Sequence, residues 1–265
     1  MDAAVPSATR IETSGNWSGA YITANEDRHF LQVWGSWKVP ASLQLPPPLL
    51  QGPAGVPYIC SNWIGLDGQR LYLDSSLPQV GTASTLLADG TTTAQAWTQW
   101  WARGDATTAP VPLGLAVNPG DDVLGVLTVQ DPQTVIVVMV NLSGPLPVGI
   151  AVQGTSPNVT LPDGTNVTPD ISGATAEWVL ERPRVVGQTI AANFPDYGES
   201  GFELCIAAEG EPVDIFSLFG ALTRVLRGER LIRMFDRLLN PERTQFISIP
   251  KKLDDTTIEL RYGSF

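Results

Sequence analysis

The sequence is poor in the residues on which most catalytic sites depend. It has one histidine, His29, and two cysteines, Cys60 and Cys205, among 265 residues. A Ser-His-Asp or Cys-His arrangement would have to use His29, and the G-x-S-x-G pattern of a nucleophile elbow is absent. One histidine and two distant cysteines also fall short of the usual zinc ligand sets. We therefore expect no metal and no cofactor; any catalysis would rely on carboxyl and amide groups.

Charge is also scarce, and what there is carries a negative sign. Charged residues make up 16% of the chain and the net charge is -11, so nucleic acid and anionic membranes are poor partners. No apolar run approaches the ~18 residues of a membrane span. The first residues lack the basic and apolar regions of a signal peptide. The spacing of the two cysteines allows either one disulfide or two buried thiols.

Glycine and proline are abundant, at 25 and 22 residues, and separate many short apolar stretches. Strands alternating with turns predict an all-β fold, a sandwich of two antiparallel sheets, with residues 1–265 as a single domain. An entry to a first strand is predicted at 16–21. Further strands are predicted at 30–40, 58–67, 91–102, 123–129, 135–141, 174–183, 189–194, 202–207, 244–249 and 256–262.

One segment has a different pattern. Apolar residues at helical spacing between 213 and 239 predict a helical insertion at about 212–243, divided near Gly228. Arginines repeat along this segment in an otherwise acidic chain. Such a segment fits an amphipathic insertion packed over the sandwich, and alternatively a lid, a dimer contact or a membrane-surface element. The arginines are Arg224, Arg227, Arg230, Arg233 and Arg237.

The predicted strand at 174–183 holds a carboxylate in an apolar setting. Strand alternation places Glu177 on one face with Thr175 and Val179, while Ala176 and Trp178 face the other way. A carboxylate in such a strand is costly unless it is solvated, paired or used in chemistry. The strand alone fits an ordinary solvent-facing glutamate as well as a catalytic one.

Four motifs, taken together in their order and separation, resemble the glutamic peptidases, or eqolisins, a family of pepstatin-insensitive acid peptidases. A tryptophan-rich run at 97–101 resembles the aromatic strand of that family. The resemblance implies a concanavalin-like sandwich, polypeptide substrates and a secreted, extracellular protein. The motifs are Asn16-Trp17-Ser18-Gly19, Trp63-Ile64-Gly65-Leu66-Asp67-Gly68, Pro78-Gln79-Val80-Gly81 and Ala176-Glu177-Trp178-Val179-Leu180-Glu181.

The resemblance also implies roles for individual residues. The catalytic pair falls on Gln79 and Glu177: a carboxylate that activates water and an amide that stabilises the oxyanion, working at acidic pH. The positions that line the family's cleft fall on Trp63, Asp67, Trp97 and Gln99.

The chain departs from the family pattern in three places. Gln99 stands where the family usually has glutamate, and Ala102 where it usually has proline. The predicted helical insertion is the third. Because Gln99 removes a carboxylate, we expect it to alter how Glu177 titrates and so to shift the pH optimum. A second reading is a non-catalytic carbohydrate- or protein-binding sandwich, since eight tryptophans can form a core or a sugar-stacking platform.

Overall fold

A computed structural model describes residues 10–68, 76–102, 109–160, 164–185, 187–188, 190–211, 220–236 and 245–263. The regular secondary structure of these residues is almost entirely strand, with a 3-10 turn at Pro48–Leu50. The strands are β1 (Arg10–Ser14), β2 (Trp17–Thr23), β3 (His29–Lys38), β4 (Tyr58–Leu66), β5 (Ser76–Leu86), β6 (Thr92–Ala102), β7 (Val111–Pro112), β8 (Asp122–Asp131), β9 (Thr134–Asn141), β10 (Val148–Thr155), β11 (Val159–Thr160), β12 (Asn166–Val167), β13 (Thr175–Glu181), β14 (Glu199–Gly210), β15 (Leu222–Arg224), β16 (Arg230–Phe235), β17 (Phe246–Lys252) and β18 (Ile258–Tyr262).

Strands β11 and β12 pair only with each other, and the other strands form two sheets that share β14. The front sheet has the order β7-β6-β5-β4-β13-β2-β16-β17-β18-β14, with β1 parallel to β16. The back sheet has the order β10-β9-β8-β3-β14, with β15 against the far end of β14. Apart from β1, every pairing in the two sheets is antiparallel. The predicted all-β, antiparallel sandwich is confirmed.

The inner faces of the two sheets meet in a tryptophan-rich core. The Trp178 indole donates to the backbone oxygen of Trp34 at 2.6 Å, and the Trp37 indole donates to Thr82 Oγ1 at 2.8 Å. Glycine lets the sheets approach closely, because a Cβ at Gly35 would lie 2.9 Å from Cδ1 of Trp178. Since Trp178 points into this core, its neighbour Glu177 points to the outer face of the front sheet.

The predicted helical insertion is wrong where the structure describes it. Residues 222–224 and 230–235 are strands, and Gly228 lies in the turn between them with a positive φ of 73°. Strand β16 pairs with both β2 and β17, so its backbone groups are bonded within the sheet while Ile232 and Met234 are buried. These pairings override a helical spacing that is only a local preference. The rest of the predicted insertion, 212–219 and 237–243, lies outside the described residues.

Two other strand predictions also differ from the structure. Around 190–194 the chain makes only isolated bridges, such as Tyr58 with Asn193, and no strand. Strand β10 was not predicted because it lies at the edge of the back sheet and is largely exposed, which leaves little apolar signal. In the described chain, no helix has the length and apolar character needed to cross a membrane.

The structure decides between the two cysteine alternatives. Cys60 on β4 and Cys205 on β14 are both buried free thiols. Burial raises the pKa of Cys60 to about 12 and raises that of Cys205 well above its usual value. Both residues therefore act as small apolar core residues.

Candidate active site

A row of side chains crosses the outer face of the front sheet. Glu177 on β13 lies directly opposite Gly65 on β4, which lies opposite Gln79 on β5, which lies opposite Gln99 on β6. Directly paired residues point to the same face, so Glu177 and Gln79 stand about 10 Å apart at their Cα atoms, two strand spacings. A Cβ at Gly65 would meet Cδ1 of Leu77 at 2.9 Å, so no side chain can stand between them. We refer to Glu177, Gly65, Gln79 and Gln99 as the Glu177 row.

The Glu177 carboxyl is buried and only half satisfied. Its side chain is 1% exposed, and Oε1 accepts a hydrogen bond from the Thr175 hydroxyl. Oε2 is buried with no hydrogen-bond partner among the described residues. Burial raises the pKa of Glu177 well above its usual value; the Thr175 hydroxyl opposes the shift, and the nearby Asp67 charge adds to it.

In the Gln79 side-chain amide, too, one polar atom is hydrogen-bonded and the other has no partner among the described residues. It is 4% exposed, and its Nε2 donates to Oε1 of Gln99 at 3.0 Å. Its own Oε1 is buried and has no partner in the described part of the chain. Buried polar groups are normally bonded, and each unbonded one costs on the order of 1–3 kcal/mol. Two such oxygens on one row indicate a site built to bind a polar group.

Asp67 lies beside the row, two residues after Gly65 and next to Thr175. It is fully buried, with a positive φ of 66°. It accepts hydrogen bonds from the Ser172 amide at 2.6 Å, the Ser172 hydroxyl at 2.8 Å, the Ala174 amide at 2.9 Å and the Gly173 amide at 3.3 Å. Burial raises the pKa of Asp67 and these four donors oppose the rise. Both oxygens are thus engaged by the turn that leads into β13, and Asp67 fixes where that strand begins.

Tryptophans form the next row along the same face. Val179 lies opposite Trp63, which lies opposite Gly81 and then Trp97. Trp63 is completely buried and Trp97 is 6% exposed. The Trp97 indole donates to Ser61 Oγ at 3.0 Å, which fixes the ring against β4. This row forms an apolar wall beside the Glu177 row.

A second carboxyl holds the tryptophan wall. Glu181 accepts hydrogen bonds from the Trp63 indole at 2.8 Å and from the Asn16 amide at 3.2 Å. Burial raises the pKa of Glu181 to about 7, and these donors oppose the rise. Trp17 packs edge-on against Trp63, with ring centroids 5.0 Å apart. Asn16, Trp17 and Glu181 thus act on the site through Trp63.

The other side of Glu177 is bounded by a tyrosine. Tyr21 on β2 lies directly opposite Glu177 and donates from its hydroxyl to Glu12 Oε1 at 2.9 Å. Arg230 on β16 lies opposite Tyr21 and donates to the same oxygen at 2.8 Å. Burial, with help from Glu12, raises the pKa of Tyr21 to about 12. This network ends the polar row on the side away from Gln79.

The structure brings five of the predicted site residues together on one surface, and their supports were not among the predictions. Gln79, Glu177, Trp63, Trp97 and Gln99 all lie on the same face of the front sheet. Thr175, Glu181 and Tyr21 were not singled out as site residues. Strand alternation places Thr175, two residues before Glu177, on the same face, and the same alternation extends to Glu181, four residues after it. Tyr21 is found only once the pairing of β2 with β13 is known.

Two further observations concern other possible sites. Among the described residues, no group of three or more His, Cys, Asp or Glu side chains has the arrangement of a metal site. A surface pocket of about 650 Å³ lies beside Leu43, Tyr58 and Leu86. Tyr58 pairs with Leu86 at the opposite end of β4 from Gly65, so this pocket is separate from the Glu177 row.

The fold and the row define a class: a two-sheet β-sandwich that presents a buried carboxyl and a buried amide on one sheet face. Residues 15–218, more than half of the chain, match the family described as the Peptidase A4 family. The chain therefore belongs to this family, the glutamic endopeptidases or eqolisins, and is a hydrolase. The matched range includes Gln79 and Glu177.

Solved structures support the same fold. The chain is similar to scytalido-glutamic peptidase in complex with a transition state analog inhibitor, with a TM-score of 0.62 and 16% identity, over 94% of this chain and 98% of that one. It is also similar to SCP-B, an eqolisin solved with the tripeptide Ala-Ile-His, with a TM-score of 0.54 and 15% identity over the same shares. No curated protein sequence matches the chain.

Proposed function

We propose that the protein cleaves polypeptides at acidic pH with Glu177 as general base and acid and Gln79 as the oxyanion donor. The observation that carries the proposal is a pair of buried oxygens, Glu177 Oε2 and Gln79 Oε1, that have no hydrogen-bond partner among the described residues and lie on one row with only Gly65 between them. Both atoms are acceptors, and a water molecule has two hydrogens to donate. Family membership supports peptide hydrolysis as the reaction that uses this water.

The proposed reaction proceeds in two proton transfers. Glu177 Oε2 takes one proton from the water, whose oxygen forms a bond to the carbonyl carbon of the substrate. The N–H of Gln79 that does not bond Gln99 donates to the resulting oxyanion. The protonated Glu177 then gives its proton to the amide nitrogen, the C–N bond breaks, and an acid and an amine leave.

The remaining predicted residues support this pair in different ways. Gln99 orients the Gln79 amide through the bond to Nε2. Trp63 and Trp97 form the wall that keeps bulk water from the reacting groups. Asp67 acts through the turn at 172–174 instead of through a free carboxylate.

The surroundings of Glu177 determine where on the pH scale its carboxylate becomes available as a base. Among the described residues, no cation contributes to the pKa of Glu177. Burial and the charge of Asp67 therefore oppose the ionisation of its carboxyl. The catalytic base is therefore ionised only above its raised pKa, while its conjugate acid remains available to protonate the leaving amine. The low charge content leaves few ion pairs to lose in acid, which supports an acidic, extracellular place of action.

The binding-module alternative has less support. A sugar-stacking platform needs exposed aromatic faces, but Trp63 is 0% and Trp97 6% exposed. Their indole N–H groups are bonded within the protein, to Glu181 and Ser61. This burial and bonding support a wall role for Trp63 and Trp97 over a sugar-stacking role.

The test is hydrolysis of an unfolded protein substrate across about pH 2–7, a span that brackets an ordinary glutamate pKa. Wild type is compared with Glu177→Gln and Gln79→Ala, each checked for folding, and with pepstatin present throughout one series. We expect acidic, pepstatin-insensitive cleavage that falls by at least about 100-fold in each variant. Glu203→Gln makes the same chemical change at an exposed position on β14 and should leave the rate unchanged. Full activity in folded Glu177→Gln would end the assignment.

A further inference from the structure

Thr175 occupies a fixed position beside the Glu177 carboxyl. It is the first residue of β13, two positions before Glu177, so both side chains lie on the same face. Its side chain is fully buried and its hydroxyl donates to Glu177 Oε1. Within the described residues, the carboxyl is therefore asymmetric: Oε1 has a protein donor and Oε2 has none.

The backbone around Thr175 is held on both sides. Its carbonyl oxygen accepts from the Asp67 amide at 2.9 Å, and the Ala174 oxygen accepts from the Ala24 amide at 2.9 Å. The Asp67 carboxylate fixes the turn that precedes it. Threonine is also stiff at χ1 because it is β-branched. The hydroxyl is thus a rigid support for a glutamate side chain that has more rotatable bonds.

We propose that Thr175 is a positioning residue: its hydroxyl holds Oε1 of Glu177 and leaves Oε2 as the oxygen that accepts the proton of the attacking water. The catalytic consequence rests on the proposed function. The contact between the Thr175 hydroxyl and the Glu177 carboxyl does not depend on the proposed function, so the contact and the function can be tested separately.

The hydroxyl also affects ionisation, because a hydrogen bond donated to a carboxylate favours its charged form. The described titratable groups that face Glu177 are Asp67 at the end of β4, Tyr21 on β2 and Glu181 on β13; Arg230 lies one strand beyond Tyr21. On β5 and β6 the row carries only the neutral amides Gln79 and Gln99. Burial and Asp67 raise the pKa of Glu177, and the Thr175 hydroxyl is the group that opposes them.

The first experiment measures Glu177 directly and needs no activity. Protein labelled with carboxyl-¹³C glutamate is titrated by NMR, and the Glu177 signal is assigned by its loss in Glu177→Gln. Thr175→Val removes the hydroxyl at nearly constant volume, so we expect the titration midpoint to rise by about one pH unit, the size of one lost hydrogen bond. Thr175→Ser keeps the hydroxyl and should stay near wild type. An unchanged midpoint in folded Thr175→Val would overturn the proposal.

The second experiment measures kcat/KM against pH in the same variants. The acidic limb of the profile should move upward in Thr175→Val and return in Thr175→Ser, whereas a merely structural defect would lower the whole profile without moving its limb. Thr93→Val, an exposed position on β6, is the matched control and should keep the wild-type limb. If Thr175→Val does not fold, Thr175→Ala lacks the same hydroxyl and replaces it.

The two experiments separate the two proposals. An inactive but folded wild type would overturn the proposed function, while the NMR midpoints would still decide the role of Thr175. An active wild type whose limb does not move in folded Thr175→Val would overturn the role of Thr175 alone.

Discussion

Two of the buried glutamates, one in each sheet, have opposite surroundings. Glu209, at the end of β14 in the back sheet, is 0% exposed, and Glu177 in the front sheet is 1% exposed. The Glu209 carboxylate is bonded to the side-chain and backbone amides of Asn25 and to the guanidinium of Arg224. Within the part of the chain that the structure describes, the Glu177 carboxyl accepts one hydrogen bond, from the Thr175 hydroxyl, and its other oxygen has no partner. The two equally buried glutamates therefore differ in their roles. Hydrogen bonds and an ion pair offset the cost of burying the Glu209 carboxylate, whereas one oxygen of Glu177 is left available for chemistry.

The largest expected difference is in stability. Glu209→Gln breaks a buried pair and leaves Arg224 without its carboxylate, so we expect a loss of about 3 kcal/mol in the free energy of unfolding. Glu177→Gln removes a carboxylate that the fold does not compensate, so stability should be unchanged or higher. Denaturant unfolding at pH 6 measures both, with exposed Glu203→Gln as the control. Equal losses for Glu209→Gln and Glu177→Gln would remove the distinction.

A second difference should appear in how stability depends on pH. The pKa of Glu177 is raised in the folded protein, so above the unfolded value of about 4.5 the native state binds more protons than the unfolded state. Stability from this group is therefore highest at low pH and is lost as pH rises. Glu181, whose pKa is raised to about 7, adds a loss in the same direction between pH 4.5 and 7. Unfolding measured from pH 3 to 7 should show a shallower fall in Glu177→Gln than in wild type; identical slopes would contradict the raised pKa.

The smallest effect concerns Gln99, one of the residues that depart from the family pattern. Gln99→Glu keeps an acceptor for Gln79 Nε2 and adds a negative charge about 14 Å from Glu177, three strand spacings away. At that distance we expect the acidic limb of kcat/KM to rise by only a few tenths of a pH unit. Gln95→Glu adds the same charge on the same face of β6 but farther along the strand and exposed to solvent, and serves as the control. A downward shift, or an equal shift in Gln95→Glu, would contradict the electrostatic role assigned to position 99.

The sequence predicted those parts of the site that depend on local pattern. Alternation along 174–183 placed Glu177 and Trp178 on opposite faces, as observed, because one face of the strand is packed in the core. The motifs identified Gln79 from a segment that is otherwise unremarkable. The alignment of Glu177, Gly65 and Gln79 depends on the register of β13, β4 and β5; β13 is distant in sequence from the other two, and no local signal gives that register.

The failures have the same origin. Apolar spacing at 230–235 fits a helix as well as a strand, and only the pairing of β16 with β2 and β17 decides between them. Thr175 was placed on the face of Glu177, but a shared face does not show whether two side chains bond. Asp67 was expected at the cleft, and its motif gives no sign that the turn at 172–174 engages both its oxygens.

The central claim is that Glu177 and Gln79 act on the same water molecule, and a double-mutant cycle on kcat/KM tests it most directly. The rates of Glu177→Gln, Gln79→Ala and the double variant are compared with wild type at the pH of maximal wild-type activity. If the two residues act as a unit, the double variant should be about as slow as the slower single variant. If instead the two losses multiply, the residues act independently and the claim is contradicted.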